Sequence, residues 1–415
     1  MESTLLELSQ SFGALLVIGA RQSGKTTLLT HTFPDAVYMT FDDRILLNAA
    51  RSDPESFLSL NAETQAIIDE VQYVPELFPV IKRRIDSEKL ASLRANTSRF
   101  LGRYLLTGSQ QFHMMKNVSE SLAGRVGIAI LSGLSLREIQ GDSFDMPFIP
   151  TENYRAARRN AASKTLSGGE IWDVILRGSM PELHADPSID AKKYYGAYIN
   201  TYIERDVRAL TQVGDERAFF SFMVTMAART GQLLNLSDVA KDVGISVPTA
   251  KRWLSVLQTS NIVYLLQPWH ANITKRVVKT PKIYFLDTGL AAQLAGWNTV
   301  EALARGASSG AFFETFVISE ALKSYYNKGD LRPPFYFYRD RQGNEIDLII
   351  LENGVLYPVE IKKSAAPRKE DTASFAQLGQ CAGSGMKRGP GALVCMYEEF
   401  LPLTKTDWIF PVSRL

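Results

Sequence analysis

The chain has almost no net charge. Its 46 lysines and arginines stand against 44 aspartates and glutamates, leaving +2 at neutral pH. The whole molecule is therefore not a basic nucleic-acid coat, and any nucleic-acid surface must be a local patch. Cysteine is nearly absent: Cys381 and Cys395 are the two, without metal-ligand spacing, which fits a reducing compartment. No apolar run approaches the ~18 residues of a membrane span. No secretory pattern precedes Gly19, where the first motif begins, and no internal repeat or low-complexity tract breaks the chain. These absences lead us to expect a soluble, cytoplasmic protein with no membrane partner. Its 415 residues suffice for roughly two to four domains, and 45% hydrophobic residues suffice for ordinary cores.

What is present begins with Gly19-Ala20-Arg21-Gln22-Ser23-Gly24-Lys25-Thr26, a full G-x-x-x-x-G-K-[ST] phosphate loop. The apolar run Ala14 to Ile18 leads in as a buried strand, and Thr27, Leu28 and Leu29 lead out as a helix start. Backbone N–H groups of such a loop, backed by a helix N-terminus, cradle nucleotide phosphates. Lys25 is expected on the β- and γ-phosphates of ATP, and the Thr26 hydroxyl on Mg²⁺.

Hydrolysis needs a second site. Ala66-Ile67-Ile68-Asp69-Glu70 reads as a buried parallel strand with acids at its C-terminal tip, where an open α/β sheet binds ligands. Asp69 is expected in the Mg²⁺ shell and Glu70 as the group that polarises the attacking water. A third strand, Tyr104-Leu105-Leu106, ends in Thr107-Gly108-Ser109-Gln110. Thr107 or Ser109 either touches the γ-phosphate or the lytic water, or belongs to an ordinary strand-end turn.

Together these three segments resemble an AAA+ ATPase. More narrowly, the chain resembles the prokaryotic ATPases that join an AAA domain (AAA_14) to a C-terminal domain of unknown function, DUF4143. Ser121-Leu-Ala-Gly-Arg125, Leu134-Ser-Leu-Arg-Glu138, Gly178-Ser-Met-Pro-Glu182 and Tyr202-Ile-Glu-Arg-Asp206 carry that narrower likeness. It implies a homo-oligomer, a hexameric ring, in which Arg125 acts as an arginine finger on a neighbour's γ-phosphate. The alternative for Arg125 is a surface ion pair. Arg177, Arg205 and Arg208 are lesser candidates for nucleotide sensing or ring contacts.

The expected organisation is an α/β nucleotide-binding core over 1–140, a doubly wound parallel sheet; a helical lid over 141–222; a winged helix over 223–295; and a nuclease-like α/β domain over 296–415. Tyr194, Tyr195, Tyr198, Tyr202 and Ile203 recur at helical spacing and read as packing rather than a base-stacking face. Leu236 to Gly244 and a helix capped by Ser246, with Pro248 in its first turn, form a helix-turn-helix candidate. Thr249, Lys251 and Arg252 would face a DNA groove. The strands Ile262–Leu266 and Lys282–Leu286 would form a wing, with Lys275 and Arg276 between them on phosphates. The alternative is a winged helix that contacts only protein.

In the last hundred or so residues, Asp347 sits in Gly343-Asn-Glu-Ile-Asp-Leu-Ile-Ile-Leu351 and precedes Val359-Glu360-Ile361-Lys362. Glu360 and Lys362, two apart on a strand, share a face. Asp347 and Glu360 could hold Mg²⁺ while Lys362 orients or deprotonates a water attacking a phosphodiester. This resembles the PD-(D/E)xK nuclease fold, and Glu314 matches the acid that some of its nucleases carry upstream. Ile346 stands where that motif has proline. The acids could instead pair as ions, or the fold could bind DNA without cutting it. The expected function is an ATP-hydrolysing oligomer acting on DNA, branched or forked by analogy. The rival is a regulatory ATPase whose C-terminal modules bind protein partners.

Overall fold

The computed structural model describes residues 1–60, 64–97, 101–108, 120–161, 164–202, 215–270, 280–340, 342–381 and 385–415. It divides into two compact units: Met1–Ser132 with Tyr326–Leu331, and Gly133–Tyr325 with Arg332–Leu415. Among the described residues no helix is long and apolar enough to cross a membrane.

The apolar run before the phosphate loop becomes β1 (Ala14–Ile18), every residue of it buried. It lies in a parallel sheet with β2 (Val37–Thr40), β3 (Ala66–Asp69), β4 (Tyr104–Gly108) and β5 (Val126–Ile130), in the order β2-β3-β4-β1-β5. Leu15, Val17, Ile67 and Leu105 pack on Leu5 and Leu29 of flanking helices. Leu16, Ile68 and Leu106, which alternate with them, are equally buried. Both faces of the sheet are therefore covered, as a parallel sheet requires. The order matters chemically, because β4 is inserted between the strand of the phosphate loop and the strand of the acids.

In the second unit the helix Ala191–Tyr202 buries Tyr195, Tyr198, Ile199 and Tyr202, so the tyrosine stripe is packing over its described length; Ile203 lies outside the described residues. The helix Leu236–Val243 ends at Gly244, whose φ of 77° is readily adopted only by glycine. Ser246 then caps the helix Val247–Thr259 through Thr249 N. Trp253 of that helix is buried edge-on against Phe219 and Phe222, and Ala250, Leu254 and Leu257 share its inner face.

A sheet of ten strands, counted among the described residues, completes this unit. Its strands are β6 (Gln232–Leu233), β7 (Val263–Pro268), β8 (Lys282–Phe285), β9 (Phe335–Arg339), β10 (Glu345–Glu352), β11 (Val355–Lys362), β12 (Lys387–Arg388), β13 (Gly391–Cys395), β14 (Leu401–Pro402) and β15 (Asp407–Pro411). β7 and β8 pair antiparallel, as a wing hairpin would. β7 also pairs with β9, Gln267 against Tyr336, so the expected wing and the expected nuclease-like strands share one sheet. The segment expected as a lid, 141–222, falls within this second unit.

Candidate functional site

The phosphate loop is shaped by contacts that only its glycines permit. A Cβ on Gly19 would stand 2.1 Å from the carbonyl oxygen of Leu131. Gln22 and Gly24 have φ of 58° and 88°, turning the loop so that Gly24 caps the helix Lys25–Thr32. Ala20, Arg21 and Thr27 complete the run, Thr27 exposed in the first helical turn. Ser23 is buried and its Oγ has no hydrogen-bond partner. Lys25 is buried as well, and its ammonium donates to the carbonyls of Gly19 at 3.2 Å and Ala20 at 2.8 Å. An orphaned buried hydroxyl, a buried cation resting on loop carbonyls and a helix N-terminus are the donor set a polyphosphate requires. The residues fit the nucleotide.

Asp69 is the hub of the second part. Thr26 Oγ1 and Tyr38 Oη donate to its Oδ2 at 3.1 and 3.0 Å, and Thr107 Oγ1 donates to its Oδ1. The strand order explains this convergence. Tyr38 comes from β2, Asp69 from β3, Thr107 from β4, and Thr26 from the helix that follows β1. Burial and the Asp69 charge raise the Tyr38 pKa. A carboxylate gripping the phosphate-loop hydroxyl is the oxygen chemistry Mg²⁺ prefers. Glu70 follows in the left-handed region, φ 56° and ψ 41°, and Gln72 donates to its carboxylate. Such backbone strain in a non-glycine residue persists where the surroundings impose it and gathers at functional sites. Ser109 and Gln110 lie outside the described residues.

Arg125 is not near its own phosphate loop. β5 runs parallel to β1 with Ala14 opposite Val126 and Ile18 opposite Ile130, so Arg125 precedes the strand at the edge away from the loop. Five residues of strand separate the two ends, roughly 16 Å. There its guanidinium makes a bidentate pair with Asp86 on the helix Leu77–Ala95, at 2.7 and 2.9 Å.

A second cluster lies on β8, β10, β11 and the helix Ser309–Tyr326, which carries Glu314. Asp347, on β10 beside the Leu348–Val359 pair, accepts from Ile361 N at 2.9 Å. Lys362 Nζ donates to Glu360 Oε1 at 2.6 Å, confirming that these two share a face. Glu360 Oε2 is buried with no partner. Burial, with the Asp347 charge next in weight, raises the pKa of Glu314 to about 7 and of Glu360 to about 8. Burial raises Asp347 also. Lys282, from β8, enters the same cluster at 2.8 Å from Glu314.

Lys251 and Arg252 are exposed on the outer face of their helix, while Thr249 is half-buried and shares a hydrogen bond with Ser246. Lys275 and Arg276 lie outside the described residues, as do Arg205 and Arg208. Arg177 is tied to the backbone carbonyl of Leu183 at 2.6 and 3.0 Å.

Three participants escaped sequence reasoning: Tyr38, Asp86 and Lys282. Tyr38 became visible only through strand order. Asp86 carries no motif. Lys282 is a charged residue opening an apolar strand, a weak signal that could have marked it.

Residues 11–140 match the family model described as an AAA domain, residues 169–301 a domain of unknown function (DUF8612), and residues 309–415 a domain of unknown function (DUF4143). The uncharacterised proteins Mb2031c of Mycobacterium bovis and Rv2008c of Mycobacterium tuberculosis are each 32% identical over 405 residues, 97% of this chain and 80% of theirs. Among solved structures, the Walker-type ATPase PABY2304 of Pyrococcus abyssi aligns over 71% of this chain and 94% of its own, with 14% identity and a TM-score of 0.43. The ORC2 protein of Aeropyrum pernix aligns over 73% of this chain and 92% of its own, with 14% identity and a TM-score of 0.32.

Proposed function

Because the chain belongs to the family of ATPases that join an AAA domain to a C-terminal DUF4143 domain, we propose that it hydrolyses ATP as a homo-oligomer and couples that turnover to DNA. The observation that carries this is the meeting of Thr26, Asp69 and Thr107 beside a phosphate loop with an orphaned Ser23 hydroxyl.

The loop N–H groups and Lys25 hold the phosphates, Lys25 exchanging its carbonyl partners for phosphate oxygens. Thr26 and Asp69 would hold Mg²⁺, which would supply charge neutralisation to the phosphates. Glu70 accepts the proton of the attacking water, with Gln72 fixing its carboxylate. Thr107 keeps Asp69 oriented. Arg125 serves a neighbouring subunit, and its distance from its own loop supports an assembly in which it acts in trans. A ring, hexameric by resemblance, satisfies that requirement.

Support for DNA comes from the exposed Lys251 and Arg252 on the second helix of the helix-turn-helix, whose inner face is fully occupied by the core. We assign 223–295 as a winged helix that holds DNA and 296–415 as nuclease-like strands beside it, with 1–140 as the motor and 141–222 as its lid. The test is ATP hydrolysis at low salt with Mg²⁺, alone and with single-stranded, duplex, forked and four-way DNA, following the DNA on a gel. Stimulation by one DNA form is the expected result. Steady turnover indifferent to every DNA, with no binding, would instead favour a regulatory switch acting on protein partners.

A further inference from the structure

Lys282 enters the acidic cluster from β8, outside the strands that carry the nuclease-like motif. Its ammonium stands 2.8 Å from Glu314 Oε1, 2.5 Å from Glu345 Oε1 and 3.8 Å from Asp347 Oδ1. It is only 3% exposed. Tyr284, two residues along β8 and so on the same face, donates to the same Glu314 oxygen at 2.5 Å. Three carboxylates thus surround one buried ammonium and hold it by ion pairs. The ammonium also lies over the Phe337 ring, 5.7 Å from its centroid.

A divalent cation among Glu314, Asp347 and Glu360 would need their oxygens to converge on one point at about 2.0–2.6 Å. Among the described residues no group of three His, Cys, Asp or Glu side chains is disposed to hold a metal ion. Glu314, Glu345 and Asp347 are instead spread around the Lys282 ammonium, while Glu360 pairs with Lys362. A metal introduced between them would meet that positive charge at close range in a buried setting, where like charges repel strongly. Lys282 is packed and has no solvent to withdraw into.

We propose that Lys282 is the resident cation of this cluster, standing where a divalent metal would have to stand, so that the wild-type C-terminal domain binds no such metal there and does not cut DNA. The inference rests on the nuclease-like assignment of β10 and β11 made above. It makes the domain a holder of DNA and leaves Lys362, paired with Glu360, without a metal-bound water to act on.

The test is a Mn²⁺ titration of the nucleotide-free full-length protein, reading free Mn²⁺ by electron paramagnetic resonance. Wild type, Asp347→Asn and Glu360→Gln should take up the same amount. Lys282→Met should take up about one further ion per chain, lost again when Asp347→Asn is added. Lys282→Arg, which keeps the charge, should gain nothing. Wild type binding more Mn²⁺ than both Asp347→Asn and Glu360→Gln would overturn the proposal. So would a Lys282→Met protein that is folded by circular dichroism and gains no site. If Lys282→Met fails to fold, the wild-type comparison still decides. Neither ATP nor DNA enters the titration, so failure of DNA-stimulated hydrolysis would leave this result standing, and the reverse.

Discussion

Arg125 and Asp86 form a two-pronged ion pair at 2.7 and 2.9 Å, at the edge of the sheet opposite the phosphate loop of the same chain. Both partners are partly solvated, so the pair adds at most ~1 kcal/mol of stability. Its interest is positional. An arginine held there can meet a γ-phosphate only in another subunit, and it must leave Asp86 to do so. Arg125→Ala should lower turnover by roughly 1,000-fold or more while nucleotide binding is kept. Mixing Arg125→Ala with Lys25→Ala subunits should restore part of the activity. No recovery in confirmed mixed assemblies would reduce Arg125 to the surface ion pair.

Glu70 and Asp69 are adjacent but differ in task. Glu70→Gln should slow hydrolysis roughly 100- to 10,000-fold with ATP affinity retained, since it removes the base and leaves the phosphate cradle. Asp69→Asn should raise the Mg²⁺ concentration needed for turnover, because its hydroxyl partners Thr26, Tyr38 and Thr107 remain while the charge is lost. A metal titration of the steady-state rate separates the two.

Lys251→Glu and Arg252→Glu should abolish DNA stimulation and leave basal hydrolysis unchanged. Each neutralised phosphate contact should lower the salt slope of binding by ~1. Binding by fluorescence anisotropy across a salt series gives this number. An unchanged slope would remove that helix from the DNA surface.

Stability should depend on pH through Glu360 and Glu314. Their pKa values are raised to about 8 and about 7 in the fold, against 4.5 unfolded. The folded state therefore binds more protons than the unfolded chain across that window, and its stability falls as pH rises from about 4.5 to about 8. The Asp347 charge pushes both values up, while the Lys362 charge lowers Glu360 and the Lys282 charge lowers Glu314. Denaturant midpoints between pH 5 and 8 should decline in wild type and flatten in Glu360→Gln.

Gly178 stands where two segments of the second unit come together. Its φ is +78°, and a Cβ would lie 2.0 Å from Tyr195 Oη and 2.6 Å from Asp287 Oδ1. Asp287 there accepts from Tyr195 Oη, Ser179 Oγ and two backbone N–H groups. Gly178→Ala should cost roughly 2–5 kcal/mol. Thermal unfolding reads it, and a change below ~0.5 kcal/mol would show that this network yields readily.

The phosphate loop, the Ile-Ile-Asp-Glu strand and the Tyr-Leu-Leu-Thr strand were legible in the chain because each is local. A glycine at a close approach, an apolar run and an acid at its tip sit within a few residues of one another, and local chemistry dictates local backbone. The cap at Ser246, the stop at Gly244 and the shared face of Glu360 and Lys362 were legible for the same reason. Strand order was not. That Tyr38 reaches Asp69, that Arg125 faces Asp86 at the far edge, and that Lys282 crosses from β8 into the carboxylates all depend on which elements become neighbours. Neighbour choice is settled by long-range packing of apolar faces, to which residues distant in sequence contribute together. Local motifs specify the phosphate loop and its acids, whereas the fold specifies which charges meet, because a strand's motif names its own side chains and not those of the strand beside it.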